Sequence, residues 1–82
     1  MTEQERAHMT LTAEAYRNAA DYLELAVEQM RSALAHQGSV AAWQDLAPGM
    51  RREWQPTLKG LETMAEGCRG LAGLSERASR GK

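Results

Sequence analysis

The chain has 82 residues, 26% of them charged, with a formal net charge of −1, two prolines and a single cysteine. One cysteine excludes an intrachain disulfide, near-neutral charge with no Lys/Arg run excludes the basic face that nucleic acid requires, and no apolar run is long enough to span a bilayer. A single domain of this size buries a modest share of its surface, so a partner is the first thing to look for.

The first arm is expected from about residue 3 to 36. Thr2-Glu3-Gln4-Glu5 has the Thr-x-x-Glu form of a capping box, in which a hydroxyl and a carboxylate satisfy orphan amides at a helix start. Charge where a signal peptide has its apolar core makes the expected location cytoplasmic, or secreted without a cleaved signal. Met9, Ala13, Tyr16, Ala20, Leu23, Val27, Met30 and Leu34 then alternate by four and three, and every one of them is apolar. A period of 3.5 residues keeps one seam against the same neighbour, so this stripe requires an apolar partner helix at a low crossing angle. Ala19, Ala26 and Ala33 line one flank of the seam, where a neighbour can come close.

His36-Gln37-Gly38-Ser39 carries the signals of a tight connection: a glycine for the left-handed position after a helix and a serine to cap the next. The turn is placed at 37–39. The second arm, about 40 to 78, puts Met50, Trp54, Thr57, Leu61, Met64, Cys68, Leu71, Ser75 and Ala78 on the same rhythm, with Leu58, Ala65 and Ala72 widening the stripe. Pro48 and Pro56 each remove a helical hydrogen bond, so a break or kink is expected near Ala47 and another near Gln55, giving a short helix over 40–46, a short middle piece and a main helix from Pro56. Trp43 and Trp54, eleven residues apart, return to nearly the same helix face and are expected to fill the space that the kink opens. Gly60, Gly67, Gly70 and Gly73 weaken the main helix and point to close helix approach. Residues 79–82 read as a frayed tail.

The candidate sites for chemistry are sparse. Glu5-Arg6-Ala7-His8 has the Glu-x-x-His spacing of di-iron bundles, but those need a second such motif and two further glutamates. Glu24 with Glu28, and Glu62 with Glu66, lie off the seam and read as solvated faces. Cys68, on the seam with no histidine at local spacing, reads as a small hydrophobe. No cofactor, metal ligand or catalytic residue is assigned. For Trp43 and Trp54 the alternatives are core anchor and partner hot spot, since tryptophan dominates such hot spots.

The segment Glu53-Trp54-Gln55-Pro56, continuing through leucines at three and four spacing to Ala78, resembles the second helix of the Trp-x-Gly family of small helical hairpins, the early-secreted-antigen type exported by type VII secretion. The turn departs from that pattern: His36-Gln37-Gly38 has the glycine without the tryptophan, and Trp43-Gln44-Asp45 the tryptophan without the glycine. The resemblance implies a hairpin that dimerises into a four-helix bundle and performs no catalysis.

The sequence therefore leads to one all-α domain, residues 1–82: an antiparallel helical hairpin with a proline-kinked second arm that assembles into a four-helix bundle. The expected function is noncatalytic interaction with itself or a similar small helical protein, with neither nucleic acid nor membrane insertion involved. The residues expected at the partner interface are Tyr16, Leu23, Val27, Met30, Trp43, Met50, Trp54 and Leu61. Two other readings are a cytoplasmic chaperone of a secretion-system subunit and a metal-binding or enzymatic bundle using His8 and nearby acids.

Overall fold

A computed structural model describes residues 1–80, the side chain of Ala47 excepted. It is an all-α hairpin: α1 spans Glu3–Gly38, a single 3-10 turn spans Ala41–Trp43, and α2 spans Ala47–Ser79. Of the expected tail, Ser79 closes α2, Arg80 caps it, and residues 81 and 82 lie outside the described residues.

The capping box forms as the sequence requires. The Glu5 amide donates to Thr2 Oγ1 at 3.1 Å and the Thr2 amide to Glu5 Oε1 at 3.3 Å. At its other end α1 runs through Gly38, and the residue after it, Ser39, is right-handed at φ −85°, so no left-handed glycine ends the helix. Nor does Ser39 cap the next helical turn; its hydroxyl donates back to the Ala35 carbonyl at 3.2 Å.

The connection is longer than the three residues expected. It occupies 39–46 and is held by successive short-range amide bonds, among them Trp43 to the Val40 carbonyl at 2.9 Å and Leu46 to the Trp43 carbonyl at 3.0 Å. These satisfy a backbone that has left the helix without needing the other arm. Pro48 stands in the first turn of α2, where its missing N–H costs nothing and its fixed φ is already helical. The expected break at Pro48 is thus the start of the helix. The break expected at Pro56 does not occur, because α2 passes straight through it. Pro56 is exposed, on the side of α2 away from α1, where water can take up the Arg52 carbonyl that lost its donor.

Between the arms, α1 contributes Ala13, Ala20, Val27 and Leu34, buried at every seventh residue, with Met9, Tyr16, Leu23 and Met30 half-buried beside them. This is the stripe expected for the first arm. A strict seven-residue repeat over this length stays in register only if the two helices coil left-handedly. On α2 the contact line sits one residue away from the expected one. Leu58, Ala65 and Ala72 are buried, Leu61 and Cys68 half-buried and Ser75 buried beside them, while Thr57, Met64 and Leu71 are exposed. The residues expected to widen the stripe are its centre.

This core is thin. Among the described residues, four of the seven buried apolar ones are alanines, and the larger ones, Val27, Leu34 and Leu58, cluster near the turn with Met30, Met50 and Leu61 against them. No large side chain among the described residues is fully buried. The molecule is a rod of 61 × 16 × 11 Å with a radius of gyration of 18.4 Å, against about 12 Å for a globular chain of this length.

Candidate interaction surface

Charge divides the hairpin lengthwise. Between His8 and Gly38 every charged residue of α1 lies at Glu14, Arg17, Asp21, Glu24, Glu28 or Arg31, a three-four alternation that holds them to one side of the helix. On α2, Lys59, Glu62, Glu66 and Arg69 follow the same alternation, and after an uncharged place at Gly73 the line resumes at Glu76 and at the capping residue Arg80, with Arg77 off it. The two stripes meet. Arg17 pairs with Glu76 and Arg31 with Glu62, while Arg69 grips Glu24 with two nitrogens at 2.7 and 2.9 Å and reaches Asp21 at 2.9 Å. Each step of seven residues up α1 matches a step of seven down α2, which fixes the arms as antiparallel and sets their register.

All of these pairs are open to solvent. The hydrogen bonds from Arg69 hold the Glu24 carboxyl below its ordinary range, with the positive charge itself adding to the effect and the neighbouring Asp21 opposing it. Reciprocally, the bonds to Glu24 and then Asp21 raise the guanidinium further beyond any accessible pH. Exposed ion pairs add little stability each, so this zipper selects register more than it supplies energy.

Because the charged stripes of both arms lie along one edge, the residues about half a turn away on each helix share the opposite edge. On α1 these are Tyr16, Leu23 and Met30 with Ala19, Ala26 and Ala33 outside them; on α2 they are Trp54, Leu61 and Cys68 with Thr57, Met64 and Leu71 outside. Gly60, Gly67 and Leu74 border the α2 side. Between Met9 and Ala33 on α1 and between Trp54 and Leu74 on α2 no residue on these lines is charged, in a chain where 26% of residues are; the lines end in charge at Glu5 and Glu53. Met64 is 57% exposed and Leu71 44%. At the open end of this edge a groove of about 330 Å³ is lined by Thr12, Ala15, Tyr16 and Ala19, and the Thr12 hydroxyl is turned inward to the His8 carbonyl at 2.8 Å. The glycines serve no close approach within the hairpin: a Cβ at Gly60, Gly67, Gly70 or Gly73 would meet nothing within 4 Å.

The residues expected at a partner interface separate into three groups. Tyr16, Leu23, Met30 and Leu61 are half-buried along the apolar edge. Val27 is buried between the arms and unavailable to a partner, and Met50 packs partly against the core cluster. The tryptophans do not fill an internal gap. Trp43, in the connection, is 42% exposed and Trp54, at the turn end of the apolar edge, 40%; Val40 and Leu46 are exposed near Trp43. The second arm does break before Pro48, as expected, but α2 then runs without interruption past Trp54, so no internal gap opens between the two rings.

Glu5 and His8 are both exposed near the start of α1. Among the described residues no three His, Cys, Asp or Glu side chains gather as they would around a metal ion, and no helix is long and apolar enough to cross a membrane. Fold and surface together define an all-α hairpin with one charged and one apolar edge. Comparison with protein-family models, characterised proteins and solved structures returned no match.

Proposed function

We propose that the protein is a noncatalytic helical interaction module whose working form is a pair of hairpins packed as a four-helix bundle. The observation that carries this reading is surface left over. The hairpin exposes 6159 Å², whereas a compact monomer of 9.1 kDa exposes about 4,900 Å². The excess, about 1,300 Å², exceeds the roughly 800 Å² that each partner buries in an ordinary stable complex. An alanine-rich core supplies little of the apolar burial that a chain of this size needs, and a second hairpin supplies the rest. The ionic groups support the same reading, since they tie one arm to the other in fixed register, a positioning task.

The aromatic residue near the start of the second helix supports a further proposal, kinship with the type VII secreted hairpins. Detection of the protein in culture supernatant from unlysed cells, lost when that export system is disabled, is its test. The association itself is tested by sedimentation equilibrium of the purified chain. A mass of two protomers at micromolar concentration is expected; a cooperatively folded monomer there defeats the proposal.

A further inference from the structure

Resting on that reading of self-association, we propose that the occupant of the apolar edge is the same edge of a second copy of this chain, with both charged edges facing solvent on opposite sides of the bundle. Three observations select this occupant. Along the charged edge the arginines are already paired within one hairpin, Arg17 to Glu76, Arg69 to Glu24 and Arg31 to Glu62, so the ionic contacts made there are spent on the fold of a single copy. Between Met9 and Ala33 on α1 and between Trp54 and Leu74 on α2 the apolar edge carries no charged residue, so two copies that overlap over this stretch meet without placing like charges together. Its chemistry is also self-complementary. Large residues, Leu23, Met30, Leu61, Met64 and Leu71, alternate with small ones, Ala19, Ala26, Gly60 and Gly67, and the empty space above those glycines can admit a neighbouring side chain.

The expected α2 seam through Trp54, Leu61, Met64, Cys68 and Leu71 is then a true seam belonging to the second contact. Leu61 and Cys68 are shared: one flank of each touches α1 and the other faces the incoming copy. A two-fold arrangement repeats every contact, so one substitution on this edge acts twice.

The first test uses the unaltered chain. Hydrogen peroxide converts an accessible methionine thioether to the sulfoxide, releasing water, and peptide mass spectrometry reads each site. Met64 and Met1, 57% and 59% exposed in the single hairpin, should oxidise at similar rates when the chain is dilute. Well above the association midpoint Met64 should slow by about tenfold or more relative to Met1, as burial in a packed interface requires. Equal rates at both concentrations, in a chain that sedimentation shows to be dimeric, overturn the assignment of the edge while self-association stands. A monomer at every concentration overturns both.

The second test places a charge on the edge. Leu71→Glu should raise the dissociation constant by about 100-fold or more, and Leu25→Glu, on the back of α1, should leave it within about threefold. The reverse ranking overturns the proposal. Saturable binding of wild type to a different protein, with no self-association at micromolar concentration, also overturns it.

Discussion

Ala20 has no exposed surface at all, and Ala72 and Ala65 each have 1%. If the arms approach as closely as this implies, Ala20→Leu is a substitution whose sign is informative. Leucine adds three carbons. Were there room for them, burial at about 0.8 kcal/mol per methylene would stabilise the protein by roughly 2.4 kcal/mol. With α2 already in contact, the added carbons must instead force rotamers off their minima or push the helices apart, which costs about 1–3 kcal/mol. The two outcomes differ by about 3–5 kcal/mol, a large part of the roughly 4–12 kcal/mol expected for a chain of this length. Urea denaturation followed by far-UV circular dichroism, at one fixed protomer concentration, reads the difference. The midpoint should fall, and melting should come about 6–17 °C earlier. A variant more stable than wild type would show that the arms stand apart at this level and that the open end is not packed tightly through its alanines.

Leu58→Ala removes a large residue of the turn-end cluster, and because that site is bounded by only two helices the loss should be near the low end of the usual range, about 2–3 kcal/mol by the same denaturation. Pro56→Ala should stabilise by about 1–2 kcal/mol, restoring an amide donor to the Arg52 carbonyl; a loss of stability would mean that α2 is not continuous there. Gly70→Ala, on the outer side of α2 with open space at its Cβ, should raise stability by about 0.5–1 kcal/mol and leave association unchanged. The contribution of Glu24 depends on pH in one direction. Its folded carboxyl titrates below the unfolded value of about 4.3, so its stabilisation is complete above that value and is lost as pH falls through the folded pKa. Glu24→Gln should therefore show a shallower loss of melting temperature than wild type as pH falls below about 4.3, and added salt should shrink the difference.

Much of this architecture is legible in the apolar residues. The alternation from Met9 to Leu34 is the observed seam of α1, and Thr2-Glu5 is the observed cap, because both are local patterns whose periods admit one solution. On α2 the same method selects the wrong line. Two stripes, through Leu58, Ala65, Ala72 and through Thr57, Met64, Leu71, share Leu61, Cys68 and Ser75, and hydrophobicity alone ranks the larger residues first. The arms instead meet through the smaller ones. The charges contain the missing information: Glu14 to Arg31 and Lys59 to Arg69 keep three-four spacing, with Glu76 on the same line beyond Gly73, and aligning Arg17 with Glu76 and Arg31 with Glu62 gives the register and names the contact line. Of the four glutamates expected on solvated faces, Glu28 and Glu66 are exposed, whereas Glu24 and Glu62 also pair across the arms with Arg69 and Arg31. Pro56 misleads for a different reason. Its penalty of about 3 kcal/mol is real, but a helix anchored on both sides of an exposed proline can absorb it.

The uneven core has a consequence for how folding and association are linked. Near the turn, Val27, Leu34 and Leu58 hold the arms together with ordinary apolar burial. Toward the open end the buried residues are Ala13, Ala20, Ala65 and Ala72, each of which removes far less apolar surface from water than a leucine does. What opposes them is the entropy of ordering two helical segments, about 1–2 kcal/mol per residue, with Gly67, Gly70 and Gly73 adding to the cost on the α2 side. A single hairpin is thus strongest at its turn and weakest where Arg17 and Glu76 meet. Docking of a second copy covers Tyr16, Leu71 and Leu74 at that same weak end, so association should protect it preferentially. Hydrogen exchange measured at two protomer concentrations distinguishes this coupling from simple docking of preformed rods. Amides around Ala13 to Ala20 and Ala72 to Ala78 should slow as concentration rises, by more than those around Val27 to Leu34; equal slowing along the whole rod would show that the open end is already ordered in the single hairpin.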